Sequence, residues 1–276
     1  KNCESLDKIV VVDNASSDNS YERLKAYESE KVALIRAKEN LGYGCGNNLG
    51  LCYAYKDLAA SYALIANPDT FIEDRVISKL RTSFDKIKDL AAAAPVMKLK
   101  AKKALSFKES LLNLTLGFPC RSFLKELMEC CPITRRLFVN RLHYNKKHYK
   151  KNIAFVDALA GSLLMVDIEK ILEVGGYDEG VFLYQEEAIL GFKLKQTGYK
   201  TIILTKYSYL HAHSQSINKS FDKTLARQRL REKSVLYYFK HYLKAGDLKI
   251  AFAKLVFFII RLEISLFDIL SKVCKV

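Results

Sequence analysis

Lys8-Ile-Val-Val-Val-Asp-Asn-Ala-Ser-Ser-Asp18 changes character at a single residue, Asp13. Before it, four apolar, mostly β-branched residues run without alternation. Such a run fits a strand covered on both faces, as in a parallel sheet. After it, Asn14, Ser16, Ser17, Asp18 and Asn19 offer side-chain oxygens that cap helices and stabilise turns. A strand over 8–12 followed by a helix over about 20–28 is the reading.

The same change recurs downstream. A strand is predicted over 32–36, then a Gly-rich loop over 40–46 and a helix over 47–60. A third strand over 62–66 ends at Asn67-Pro68-Asp69. Val76, Ile77, Leu80 and Phe84 repeat at helical spacing, with Glu73 and Asp74 suited to the first turn of that helix. Another strand follows over 91–97. Strand–helix alternation of this kind gives a mixed, mainly parallel sheet flanked by helices, a Rossmann-like α/β fold. The stretch 96–151 interrupts the alternation and reads as a helical, basic insertion. A strand over 157–166, a helix over 168–174, a helix over 186–197 and short strands over 201–204 and 208–213 complete a unit spanning 1–218. Residues 219–276 read as a helical C-terminal extension.

Charge sorts along the same lines. The chain of 276 residues carries a formal +15. Residues 1–95 hold 13 basic and 14 acidic side chains, whereas 96–151 hold 14 and 3, and 219–276 hold 13 and 5. Both basic segments are also rich in apolar residues, which suits an anionic membrane surface or a phosphate-bearing ligand. No nucleic-acid motif is present, and nucleic acid is not taken as a partner. Seven cysteines without a Cys-x-x-Cys read as reduced thiols. No apolar run approaches the length of a membrane span, so the expectation is a cytoplasmic protein, peripheral at most on the inner face of the cell membrane.

Ligands of open α/β sheets gather beyond the carboxyl ends of strands. Asp13 and Asp69 stand at two such ends, and Asn40-Leu-Gly-Tyr-Gly-Cys-Gly-Asn-Asn48 follows a third. Singly, each has a plain structural alternative. Asp13 suits a helix cap, the glycines an ordinary turn, and Asn67-Pro68-Asp69 a strand-ending turn. Glycines before a helix also let backbone amides approach a phosphate, and a strand-end carboxylate can share a divalent cation with a diphosphate.

Taken together and in order, these segments resemble family 2 glycosyltransferases of the GT-A fold, on the rhamnosyltransferase-like branch that builds bacterial surface polysaccharides. The matching pieces are 11–20, 40–48 and 64–69. Asp157-Ala-Leu-Ala-Gly-Ser-Leu-Leu-Met165 resembles that family's Gly-containing acceptor strand. Gly175-Gly-Tyr-Asp-Glu-Gly-Val-Phe-Leu-Tyr-Gln-Glu-Glu187 resembles its "GGFDE…FFLY-x-ED" segment, and His211-Ala-His-Ser-Gln-Ser216 its "H-x-x-x-x-S" element. The resemblance implies transfer of a sugar, with inversion, from a UDP- or dTDP-linked donor to a hydroxyl of a saccharide or lipid-linked acceptor. It implies Asp13, Asn14, Asn40, Gly42, Tyr43, Asn48 and Asn67 around the nucleotide, and Asp69 with His211 at a divalent cation, Mg²⁺ or Mn²⁺. It implies Glu187 as general base with Glu186 supporting it. No oligomeric state is read.

Four departures accompany the resemblance. The family's opening strand and helix, before the strand at Lys8, are not seen, so a non-catalytic or truncated nucleotide-sugar-binding relative is the alternative reading. Glu187 stands where Asp is usual, and Ile189 where Asp is common. The Gln-x-x-Arg-Trp motif of processive members is absent, which favours single addition. A sugar nucleotidyltransferase would need a Gly-rich, basic loop directly after its first strand, and the chain has none there.

Overall fold

In the computed structural model, which describes residues 4–100, 105–212 and 224–273 (side chains of Thr224 and of 266–273 aside), the strands fall into two sheets. β1 (Ile9–Asp13) and β2 (Val32–Arg36) form a two-stranded parallel pair, Ile9 opposite Val32 and Asp13 opposite Arg36. The larger sheet is built from β3 (Tyr62–Ala66), β4 (Thr70–Phe71), β5 (Leu90–Leu99), β6 (Ile153–Phe155), β7 (Leu163–Asp167) and β8 (Lys200–His211). Its order is β3-β7-β5-β8-β4, with β6 on the flank of β8. The longest ladder, β5 with β8, is parallel, as the alternation predicts. β7 runs antiparallel between β3 and β5. Purely local alternation does not foresee this, because the chain re-enters the sheet from the opposite end after the insertion.

Helices cover the sheets. They are α1 (Ser20–Lys25), α2 (Tyr43–Lys56), α3 (Asp74–Lys86), α8 (Ile168–Glu173) and α9 (Glu186–Gln196). Between them α4 (Phe107–Leu112), α5 (Phe123–Cys130), α6 (Pro132–Leu137) and α7 (Val139–Leu142) make up the helical insertion, with a short 3-10 turn at Lys146–Tyr149. α10 (Thr224–His241) and α11 (Asp247–Val273) follow, two helices within the predicted helical extension. The boundary placed at 218/219 lies outside the described residues. α3 shows why periodicity reads well here: Val76, Ile77 and Leu80 are buried, and Ile77 and Leu80 pack with Leu90, Ala93 and Met165.

Several predicted boundaries move. α2 begins at Tyr43, so Gly44, Cys45 and Gly46 are helical rather than part of a loop. The glycines serve close packing. A Cβ on Gly44 would stand 3.1 Å from Tyr177, on Gly46 3.4 Å from Asn14, and on Gly50 3.1 Å from Val12. The strand expected over 157–166 begins only at Leu163, leaving 157–162 as a loop. The two strands expected over 201–204 and 208–213 are one strand with a register shift opposite Pro95 and Val96; its predicted end at His213 lies outside the described residues.

A second apolar cluster joins the insertion, α9 and the C-terminal helices. Leu127 and Cys130 of α5, Ile189 of α9, Val235, Tyr238 and Phe239 of α10, and Phe257 and Ile260 of α11 are buried together. Ser234 and Tyr237 tie α10 to the segment before α9, donating to the Leu183 carbonyl and to Asp178.

Candidate active site

Sheet register builds the first part of the site. Asn67 extends the β3–β7 ladder by donating its amide to the Ser162 carbonyl at 2.8 Å, beyond the last pair, Ala66 opposite Leu163. The turn that follows is closed by Thr70, whose amide and hydroxyl both donate to the Asn67 carbonyl. β4 then pairs with the end of β8, Thr70 opposite His211, and the Ala212 amide donates to the Asp69 carbonyl. Asp69 Oδ1 therefore lies 3.2 Å from His211 Nε2. Two residues 142 positions apart become neighbours because one short strand pairs with one long one.

A second group sits on α9. Glu186 and Glu187 open this helix, where dipole and free amides favour carboxylates. Burial works the other way and wins. Glu186 is 2 % exposed, and its carboxyl is pushed up from 4.5 to about 8, first by burial and then by the charge of Glu187. Burial also raises Glu187. Glu187 Oε1 accepts the Gly161 amide at 3.1 Å, whereas Glu186 Oε1 is buried with no partner among the described residues. Glu186 therefore keeps its proton to about pH 8, and the two carboxyls titrate as a coupled pair. Tyr43, Tyr177 and Tyr209 surround it, each phenol held above its ordinary range, first by burial.

Gly161 is the hinge between these groups. A Cβ there would meet Glu187 Oε1 at 2.7 Å and the Tyr43 hydroxyl at 3.1 Å. The Tyr43 hydroxyl donates to the Gly161 carbonyl, while the Gly161 amide serves Glu187. The next residue, Ser162, receives Asn67 through its carbonyl and bonds the Tyr209 hydroxyl at 2.6 Å.

The remaining predicted residues join from the other side. Asn14 Nδ2 donates to Asn40 Oδ1 at 3.2 Å and to the Gly42 carbonyl at 2.9 Å, and Asn40 Oδ1 accepts the Gly42 amide. Gly42 adopts φ +105° and packs its α-carbon on the Phe182 carbonyl, which also receives the Tyr43 amide; a Cβ would overlap that carbonyl. Hydrogen bonds and chain adjacency thus link Asn14, Asn40, Gly42, Tyr43, Gly161 and Glu187 with Ser162, Asn67, Asp69 and His211 in one series.

Two predicted residues have partners that the sequence did not foretell. Asp13 is buried, accepts the Ser16 amide at 3.2 Å, and lies 3.4 Å from Arg36 Nε, its in-register partner on β2. Asn48 faces away from the Asn14–Gly42 group. Its Nδ2 donates to the Tyr177 carbonyl and to Glu179, and its Oδ1 accepts the Tyr177 amide. Arg36, Gly161 and Tyr209 escaped sequence reading. Only the parallel pairing of β1 with β2 would have pointed to Arg36.

Among the described residues no three His, Cys, Asp or Glu side chains gather as a closed metal cage. Asp69 and His211 offer one hard oxygen and one imidazole nitrogen, a set that leaves positions for oxygens of a phosphorylated ligand. Two surface concavities lie elsewhere, one of about 250 Å³ between Gly180–Phe182 and α10, the other of about 460 Å³ beside Tyr62 and Asp167. Neither contains Asp69 or Glu187, so chemistry rather than cavity size locates the site.

Comparison with known proteins follows the same geometry. The glycosyl transferase family 2 profile matches residues 1–146. The N-acetylglucosaminyl-diphospho-decaprenol L-rhamnosyltransferase of Mycobacterium tuberculosis is 24% identical over 215 residues, covering 75% of this chain and 67% of that protein. Among solved structures, GalNAc-T7 with UDP, GalNAc and Mn²⁺ superposes with a TM-score of 0.60 at 15% identity, over 89% of this chain and 45% of its own. The mannosyltransferase PcManGT from Pyrobaculum calidifontis, in complex with GDP-Man and Mn²⁺, gives 0.53 at 15% identity, over 89% and 59%. This chain therefore spans about half the length of those two structures, and at such identities they establish the fold.

Proposed function

This chain belongs to glycosyl transferase family 2, and on that premise we propose that it is an inverting glycosyltransferase of polysaccharide biosynthesis. It moves a sugar from a UDP- or dTDP-linked donor to a hydroxyl of a saccharide or lipid-linked saccharide. The observation that carries this reading is the contact series from Asn14 to His211, which holds a cation-suited pair and a buried carboxylate pair on one continuous frame.

Asp69 and His211 would hold a divalent cation, Mg²⁺ or Mn²⁺, which when bound offsets the charge that grows on the departing nucleoside diphosphate. The Mn²⁺ bound to both solved neighbours supports a divalent ion. Asn14, Asn40, Gly42 and Tyr43 line the approach to the nucleotide, and Asp13, held by Arg36, keeps an acid at the end of β1. Glu187 takes the proton of the acceptor hydroxyl as that oxygen attacks the anomeric carbon. Glu186, which keeps its proton to about pH 8, leaves Glu187 without a second negative charge at its side.

The relative's decaprenol-linked acceptor supports a lipid-linked acceptor here. No helix among the described residues is long and apolar enough to cross a membrane. α11 nevertheless exposes Leu248 (90 %), Phe252, Leu255, Phe258, Ile259 and Leu262 along one side, flanked by Lys249 and Lys254. An apolar stripe edged with cations fits the surface of an anionic bilayer. The catalytic unit over 1–218 and the helical extension over 219–276 would then divide chemistry from docking.

Incubating the chain with UDP- and dTDP-linked sugars, Mn²⁺ and a prenyl-diphosphate-linked saccharide tests the reading. Transfer that EDTA abolishes is expected; nucleotide binding with no transfer to any such acceptor sinks the enzymatic assignment in favour of a binding relative. Co-sedimentation with phosphatidylglycerol vesicles but not with phosphatidylcholine vesicles is expected for the docking part.

A further inference from the structure

The basic insertion contains a buried ionic cluster that the proposed chemistry does not use. Arg121 donates from Nε to the Leu142 carbonyl at 3.0 Å and from Nη1 to Glu126 Oε2 at 3.3 Å. Its Nη2 lies 3.7 Å from Glu129 Oε2, which also lies 3.3 Å from His143 Nε2. Arg121, Glu126 and His143 are buried, His143 with a fully covered side chain. Burying two acids, a guanidinium and an imidazole is costly unless each is paired, and such clusters fix one arrangement rather than add stability.

One bond leaves this cluster. Gln185 Nε2 donates to Glu126 Oε1 at 2.9 Å. Gln185 is the residue before Glu186, the N-cap of α9, and it makes no side-chain cap bond to its own helix. Its side chain is directed to the insertion instead. Tyr184 and Gln185 both adopt φ +71°, a left-handed turn that L side chains rarely occupy without support from surrounding structure. The Tyr184 backbone amide also favours the ionised form of Glu186. The insertion also touches α9 through packing, since Leu127 and Cys130 share a buried cluster with Ile189.

We propose that the 96–151 insertion is a positioning element for the Glu186–Glu187 pair, acting through the Glu126–Gln185 hydrogen bond. Arg121 holds Glu126 in place, Glu126 holds Gln185, and Gln185 keeps the left-handed turn that sets the first turn of α9. The insertion thereby orients the proposed base without touching substrate. The proposal rests on the reading of Glu187 as base, but its test does not depend on turnover alone.

The full chain is made as Gln185→Leu, Glu126→Leu, the double variant and Glu126→Gln. Carboxyl ¹³C NMR follows the titration of the Glu186–Glu187 pair, and transfer from a UDP- or dTDP-linked sugar is measured alongside. Gln185→Leu is expected to lower kcat about 10-fold with donor KM unchanged, because reacting groups must be held closely for proton transfer. Its Glu186 titration moves down from about 8 as the loosened turn admits water. The Leu/Leu double variant should lose no more than either single variant, as expected of two residues acting through one contact. Glu126→Gln, which keeps an acceptor for Gln185, should stay within about 3-fold of the parent. If Glu126→Leu does not fold, Gln185→Leu and Glu126→Gln still decide. Unchanged NMR titration in a folded Gln185→Leu, or losses that multiply in the double variant, would overturn the proposal. A parent chain that titrates as expected yet transfers no sugar would count against the enzymatic reading instead.

Discussion

Asp69 and Glu187 are both carboxylates fixed by the loops at one end of the sheet, yet their surroundings differ in almost every respect. Asp69 leans on His211 from a turn that leaves its side chain 29 % exposed. Glu187 lies beside a second acid, with a backbone amide and three tyrosines around it. Exposure beside an imidazole suits an acid that shares a cation with a ligand arriving from solvent. Burial beside a like charge suits an acid that must take up a proton. Gly161 and Ser162 hold the two together, one serving Glu187 and the other Asn67. The same functional group thus meets opposite surroundings, as the proposed division of tasks requires.

The contrast breaks most visibly if Glu187 is neutralised. Glu187→Gln should lower kcat by about 10²–10⁴ while leaving donor binding intact, as for the loss of a general base; steady-state kinetics at fixed donor would show it. Gly161→Ala places a Cβ 2.7 Å from Glu187 Oε1. It should cost about 10-fold or more in kcat through displacement of the base, with circular dichroism unchanged. Transfer should rise with pH as Glu187 loses a proton that burial holds above the ordinary carboxylate range. Glu186→Gln should reduce the pH profile to that single ionisation, because the coupled acid beside Glu187 is gone; a second step persisting in the variant would contradict the pairing.

The smallest effect concerns stability. Glu186 binds its proton more tightly folded than unfolded, rising from 4.5 to about 8. Its stabilising contribution is therefore complete below about pH 4.5 and is lost as pH rises through about 8. Tm should fall across that window in the parent and fall less in Glu186→Gln. Equal slopes would show that Glu186 is not held in its protonated form.

Sequence reading located the strand ends because each is announced locally: an apolar run, then polar turn residues. β2 and β3 fall where the pattern puts them, and Glu186 and Glu187 open a helix where one is predicted. What local pattern missed depends on pairing between distant segments. The antiparallel course of β7 and the Asp13–Arg36 contact both follow from which strands meet. The Gly-rich stretch misled for a physical reason. Small residues serve a backbone approaching a phosphate and close packing of a helix on its neighbours equally well, and Gly44 and Gly50 do the second, against Tyr177 and Val12. The insertion misled by its charge: its excess of Lys and Arg reads as surface, while Arg121, Glu126 and His143 are interior.

The division of labour between the two carboxylate sites is tested most directly by one calorimetric comparison. UDP and dTDP are titrated, with and without Mn²⁺, into the parent chain, Asp69→Asn and Glu187→Gln, and transfer is assayed on the same preparations. The structure predicts that Asp69→Asn loses the Mn²⁺-dependent part of nucleotide binding, whereas Glu187→Gln binds as the parent does and fails only in transfer. Mn²⁺-dependent binding that survives in Asp69→Asn, or vanishes in Glu187→Gln, would contradict it.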